Sequence, residues 1–232
     1  MKKKGKKYLR ISEKIEPGQL YSKEEALNLV KEFNVYNFDQ TVDVAISLNV
    51  DVRKADQQVR GAVTLPNGVG KTKKVLVITQ SDKAQEAKEA GADYVGDTDI
   101  INKIETEKWF DYDVIVATPN MMPLLGKLGK ILGPKGLMPN PKTNTVTNEI
   151  AKVVKEIKTG RVEYRTDNGG NIHGVIGKLS FDNEKLLENL NVLVKEIKRV
   201  KPATVKGNYI KGVVISTSQG PGIKINPNSF DK

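Results

Sequence analysis

The chain has 232 residues, with 38 Lys and Arg against 28 Asp and Glu, a formal charge of +10 and a pI near 9.5, a balance typical of nucleic-acid binders. It has no cysteine and one histidine, which excludes disulfides, zinc ribbons, thiolate catalysis, iron–sulfur ligation and a His-rich metal site, and fits a reducing cytoplasm. No run reaches the roughly 18 apolar residues of a membrane span, and a chain of this length buries roughly 70% of its unfolded surface, enough for two modest cores.

The Lys-rich start, Met1 to Arg10, leads into ISEKIEPG and not into an apolar stretch, so no signal peptide is expected. Those lysines read equally as a solvated basic tail or as an RNA contact. Ser22 with Glu25 three residues on is a capping-box pattern, and Ala26, Leu29, Val30 and Phe33 follow at helical spacing, so a helix is predicted over Ser22 to Phe33. Val42, Val44, Ile46, Leu48 and Val50 then alternate with polar or small residues, the period of a strand with one buried face. Arg60 to Leu65 reads as a further short strand.

After Pro66-Asn67-Gly68 the texture changes to that of a parallel sheet. Strands are predicted at Lys74 to Thr79, Asp93 to Val95 and Asp113 to Ala117, with helices at Asp82 to Glu89, Asp99 to Thr106 and Asn148 to Lys158. This order predicts a small Rossmann-like layer sandwich. Past Gly160 the alternation returns: hairpin strands at Arg161 to Thr166 and Ile172 to Ser180 around Asp167-Asn168-Gly169-Gly170, a helix over Asn183 to Arg199, and a last strand at Tyr209 to Thr217. The two flanks share one texture. The expected architecture therefore mixes α+β and α/β: a discontinuous α+β domain, 1–67 plus 160–232, interrupted by a Rossmann-like domain, 68–159, with a hinge at crossings near Pro66 to Gly70 and Thr159 to Gly160.

The most unusual stretch is GKLGKILGPKGLMPNPKTNTVTN, Gly126 to Asn148. It holds four lysines, Lys127, Lys130, Lys135 and Lys142, inside a run from Val114 to Asn148 without a single acidic residue. Such a segment lets backbone and positive side chains approach a polyanion. Its glycines do not match G-x-G-x-x-G, and no acidic residue follows about 20 positions on to hold a ribose. Gly70-Lys71-Thr72 mimics the end of a P-loop but has Leu65 where glycine is needed and precedes its strand. His173 has no nucleophile or carboxylate cluster beside it in sequence, and Asp93, Asp97 and Asp99 read as helix caps before they read as a magnesium site. The ending STSQGPG reads either as a plain strand-end turn or as small hydroxyls and glycine amides that meet phosphate and ribose oxygens.

Taken together, GKLGKILGPKGLMPNPKTNTV, DVIVATPNMMPLLG, FDQTVDVAISLNVDVRKADQQVRGAVTLP and GNIHGVIGKLSF resemble the ribosomal protein L-one family of the large subunit, in its bacterial form, over essentially the whole chain. The resemblance implies a cytoplasmic, ribosome-bound, non-catalytic protein without cofactor or metal, monomeric when free. It implies binding to the mobile stalk of the large-subunit rRNA beside the exit-site tRNA, assistance in release of that tRNA, and repression of its own operon through a messenger that mimics the stalk. Carried over, the principal RNA surface falls on Phe38 and Thr41, on Glu163, Arg165 and His173 of the hairpin, and on Thr217, Ser218, Gln219 and Gly220, where Gln219 stands in place of the family's methionine. The lysine block, Lys127, Lys130, Lys135 and Lys142, becomes a secondary or tRNA-side surface. The rivals are a nucleotide-dependent enzyme on the middle domain and a nonspecific RNA chaperone.

Overall fold

A computed structural model describes residues 5–80 and 83–230. In chain order it contains α1 (Lys6–Ser12), α2 (Lys23–Glu32), β1 (Thr41–Leu48), β2 (Arg60–Thr64), β3 (Val75–Ile78), α3 (Ala84–Glu89), β4 (Tyr94–Gly96), α4 (Thr98–Glu107), β5 (Val114–Ala117), α5 (Met122–Gly126), α6 (Gly129–Leu132), α7 (Ile150–Gly160), β6 (Arg161–Arg165), β7 (Asn171–Lys178), α8 (Asn183–Arg199), β8 (Ile210–Thr217) and β9 (Ile223–Ile225). The chain divides into two compact units. One runs up to Gly70 and resumes at Val162; the other is Lys71–Arg161.

In the first unit four strands form an antiparallel sheet in the order β7-β1-β8-β9. Val42, Val44, Ile46 and Leu48 of β1 are buried and join α2 and α8 in one core, so the two-residue period predicted there is the period of burial. Helix α2 starts at the expected capping box: Ser22 Oγ accepts from the Glu25 amide at 3.2 Å and Glu25 Oε2 accepts from the Ser22 amide at 2.9 Å. Leu186, Leu190, Leu193, Val194 and Ile197 bury the facing stripe of α8. The predicted hairpin is looser than expected. Its strands meet at the Thr166–Ile172 bridge and then part, β6 to pair with β2 and β7 with β1. Four elements were not foreseen: β9 on the sheet edge, α1, whose Ile11 enters the core, and the short helices α5 and α6 of the second unit. Met1 to Lys4 of the lysine tail lie outside the described residues.

Residues 68–70, expected in the middle domain, lie in the first unit. Asn189, a wholly buried side chain of α8, donates to the Gly68 and Ile176 carbonyls at 3.0 and 2.8 Å and accepts from the Asn67 amide at 3.2 Å. The Asn67 side chain donates to Glu188 at 2.7 Å. Gly70 has a φ of +73°, and a Cβ there would lie 2.6 Å from the Lys178 side chain. The stretch expected to flex is thus pinned to α8 up to Gly68.

The second unit is a three-layer sandwich on a parallel sheet, β4-β3-β5. Leu76, Ile78, Ile115 and Ala117 face a core with α4, α5 and α6, while Val75, Val77 and Val116 face the opposite core with α3 and α7. Burial on both faces explains why these strands read as continuous apolar runs. The expected start of α3 at Asp82 lies outside the described residues. Asp93 is not a helix cap: it accepts from the Val75 amide at 2.7 Å and from Lys158 of α7 at 2.5 Å, which tie its carboxyl, despite opposing burial, below the usual carboxylate range. Asp97 directly precedes α4, but its side chain makes no cap bond.

Candidate nucleic-acid interface

Antiparallel pairing of Val42 with Thr217 brings the start of β1 and the end of β8 side by side. Beyond that pair the chain makes a turn closed by the Gly220 amide on the Thr217 carbonyl at 3.1 Å. Ser218 is stitched to Thr41 twice, its amide donating to the Thr41 carbonyl and its hydroxyl accepting from the Thr41 amide, each at 3.1 Å. Gln40, wholly buried, braces the corner. Its amide donates to the Phe33 carbonyl at the end of α2, and its carbonyl oxygen accepts from the Gln219 amide, both at 3.2 Å. The turn therefore has a fixed position relative to helix and sheet.

On this corner Phe38 is 47% exposed, its ring centroid 6.2 Å from that of Tyr36. Lys7 donates to the Val35 carbonyl at 3.0 Å, with its ammonium 5.2 Å from the Tyr36 ring centre. Lys178, at the end of β7, donates to the Thr41 hydroxyl at 3.0 Å and to the Asp39 carbonyl at 3.4 Å. The Asp39 carboxylate is itself occupied, accepting from the Ser180 amide and hydroxyl at 3.0 and 2.9 Å. The corner thus presents a half-exposed aromatic ring, the exposed Ser218 and Gln219 side chains, the exposed Lys7 and the partly buried Lys178, the pattern that stacks on an unpaired base and reaches phosphate and ribose oxygens.

Thr217 departs from expectation. It lies on the inner side of β8, only 3% exposed, and its hydroxyl is shielded from solvent without a partner among the described residues. The alternation of β8 decides this, since Val213, Ile215 and Thr217 share the buried face. The outward hydroxyl of the turn belongs to Ser218, which is exposed, as is Gln219. Gly220 is required by packing: a Cβ there would sit 2.3 Å from the Thr217 Oγ1 and 3.3 Å from Phe33.

The structure brings together Phe38, Thr41, Ser218, Gln219 and Gly220, and separates the hairpin residues from them. His173 pairs with Ala45, four residues along β1 from Thr41 and so roughly 13 Å away. It lies exposed on the open sheet face, with Nε2 3.3 Å from Asp167. The Asp167 carboxylate also accepts from the Asn171 and Gly169 amides, each at 2.8 Å, and from the Asn171 side chain. The Asn171 bonds lead in holding its pKa down to about 2. Asp43 shares the open face, its carboxyl pushed up by burial against the pull of Lys178 and His173. Glu163 and Arg165 are exposed on β6, in the separate β2-β6 ribbon.

The lysine block belongs to the second unit. Lys127, Lys130, Lys135 and Lys142 are all exposed around α5, α6 and the loop that follows, and the Lys135 ammonium stands 4.3 Å from the Phe110 ring centre. Two glycines of the block are required by geometry, while Gly126 and Gly129 have open space where a Cβ would lie. A Cβ on Gly133 would meet the Gly129 carbonyl at 2.6 Å, and Gly136 adopts φ +71°. Among the described residues no group of three or more His, Asp or Glu could hold a metal, and no helix is long and apolar enough to cross a membrane.

Sequence reasoning missed Lys178, Tyr36 and the Gln40 brace, and left Lys7 open between a solvated tail and an RNA contact. Tyr36 was open to discovery as the first aromatic of YNF; Lys178 and Gln40 acquire their roles only through pairing across the fold.

Comparison with known proteins extends the likeness beyond this corner. A relative from Macrococcus caseolyticus (strain JCSC5402), described as large ribosomal subunit protein uL1, is 57% identical over 228 residues, covering 98% of each chain. The model of the ribosomal protein L1p/L10e family matches residues 30–221, a span that contains Phe38, the parallel sheet, the lysine block and Gly220. On these grounds the chain is a member of the ribosomal protein L1p/L10e family.

Proposed function

We propose that the chain is a non-catalytic rRNA-binding protein of the large ribosomal subunit, working in the cytoplasm as part of the ribosome. It grips the mobile stalk of the large-subunit rRNA through the corner of Phe38, Thr41, Lys178, Ser218, Gln219 and Gly220, assists departure of tRNA from the exit site, and represses its own messenger through an RNA element that presents the same shape. The observation that carries this reading is the half-exposed Phe38 ring near the exposed Ser218–Gln219 turn and the Lys178 ammonium on Thr41, with the turn held by the buried Gln40. A rigid platform of that kind pays little ordering entropy on binding. The scattered lysines add a salt-dependent attraction without choosing a sequence.

The test is titration of a stalk fragment against a length-matched scrambled hairpin across a salt series. Stalk binding is expected to persist where the scramble has let go, and Phe38→Ala to weaken it by about 5- to 150-fold, the equivalent of one lost base stack of roughly 1–3 kcal/mol. A messenger fragment that mimics the stalk is expected to compete for the same site. Equal, salt-labile binding of stalk and scramble would leave only nonspecific charge and overturn the proposal.

A further inference from the structure

Phe38 stands in a stretch of backbone with little to hold it. Between α2 and β1, Asn37 and Phe38 make no hydrogen bond among the described residues, and the ring itself is half-exposed. A ring so placed meets a base tightly only if the chain beneath it is already ordered, because ordering it on binding subtracts from affinity.

The hold comes from the next residue. Asp39 accepts from the Ser180 amide at 3.0 Å through Oδ1 and from the Ser180 hydroxyl at 2.9 Å through Oδ2, a two-point clamp between residues 141 positions apart in the chain. Ser180 is in turn a fixed post. Its neighbour Leu179 is buried, gives its amide to the Gln40 carbonyl at 2.8 Å, and accepts from the Lys31 ammonium of α2 at 2.7 Å through its own carbonyl. Lys31 also donates to the Phe181 carbonyl on the other side. The segment that carries Phe38 is thus fastened to a turn that α2 fastens in its own right.

The same carboxylate is electrostatically out of place. Asp39 is exposed, and a negative charge next to a surface that meets a polyanion weakens the encounter. Its geometry supplies the reason for its presence, since both oxygens are engaged with one serine. We infer that Asp39 and Ser180 are positioning residues: their clamp holds Phe38 ready for an unpaired base and so contributes selectivity for structured RNA. The inference rests on the RNA reading of the corner.

Asparagine at position 39 separates the clamp from the charge. Its oxygen can accept from the Ser180 amide and its nitrogen can donate to the Ser180 hydroxyl, whereas alanine loses both bonds, and either substitution removes the charge. The experiment titrates full-length Asp39→Asn and Asp39→Ala, each with and without Phe38→Ala, with the stalk fragment and the scrambled hairpin. Asp39→Asn is expected to bind both RNAs at least as tightly as the parent and to keep its selectivity. Asp39→Ala should match it on the scramble but fall about 2- to 10-fold behind it on the stalk, the effect of having to order one more side chain. With Phe38→Ala present, asparagine and alanine should become equivalent, a coupling that a mere loss of stability would not produce; thermal melts check that each variant is folded. Without RNA, the Ser180 amide should exchange with solvent faster in Asp39→Ala than in Asp39→Asn. Equal exchange in the two variants, equal stalk affinity, or a difference that survives the loss of Phe38 would overturn the inference. A parent that fails to distinguish stalk from scramble would instead overturn the RNA reading of the corner, and the role of the clamp with it.

Discussion

Gly220 and Thr217 occupy one small volume: a methyl group at position 220 would press on the threonine hydroxyl at 2.3 Å. Gly220→Ala is therefore expected to cost about 1–3 kcal/mol and to displace the turn that presents Ser218 and Gln219. Removing the obstacle should repair it, so in a double-mutant cycle of urea melts Gly220→Ala with Thr217→Ala is expected to be less damaging than the sum of the singles. Thr217→Val deletes a buried hydroxyl that has no partner among the described residues, and is expected to keep stalk affinity unchanged while raising stability by about 1 kcal/mol. A loss of affinity in that variant would return Thr217 to the contact surface. Asn189 is the opposite case. Its side chain satisfies the Gly68 and Ile176 carbonyls and the Asn67 amide, so Asn189→Leu leaves three backbone groups wanting and should lower stability by about 3 kcal/mol or more in the same melts.

Among the elements, the turn between β6 and β7 depends on one carboxylate. Asp167 titrates at about 2 against an ordinary 3.8 because the folded turn surrounds its charged form with donors, those of Asn171 first. A group whose pKa is lowered by folding supports the fold fully above its unfolded value and withdraws that support as pH falls through the folded one. The Gly169 and Asn171 amide resonances are thus expected to hold their positions down to roughly pH 3 and to move through a midpoint near pH 2. Asp167→Asn should move them already at neutral pH. The longer elements were legible because their burial follows a simple period: β1 alternates without exception, and α2 announces itself by Ser22 and Glu25. The parallel sheet was legible for the complementary reason, a lack of alternation where both faces are covered. What stayed hidden depends on partners distant in sequence. Strand β9 is three residues long and exists because Val213 and Ile215 offer an edge. Helix α1 is seven residues long, leaves Leu9 exposed and buries only Ile11. Gln40 and Asn189 read as ordinary polar residues until the fold closes on them. The aromatic of the candidate site was visible as Phe38 in FDQTV only through the family likeness; no local pattern explains an exposed ring just ahead of a strand.

On the scale of the whole molecule the two units differ in how they are connected. The second is continuous in sequence, with short β-α-β steps and its own two cores. The fragment 71–161 made alone is expected to give a cooperative thermal melt, whereas a chain ending at Arg161 should show only that transition, because its first part has lost most of its sheet. The reason is the place of β1. It sits between β7 and β8, two strands more than a hundred residues later in the chain, so the first unit can form only by long-range closure, which is slow. This order has a consequence for synthesis. A growing chain presents its lysines early and a finished middle unit soon after, but the corner of Thr41 and Ser218 cannot assemble until the last strands have left the ribosome. The ability to grip a structured RNA therefore arrives as a mark of completion, and a chain abandoned part-way would carry the charge of a nucleic-acid binder without the shape of one.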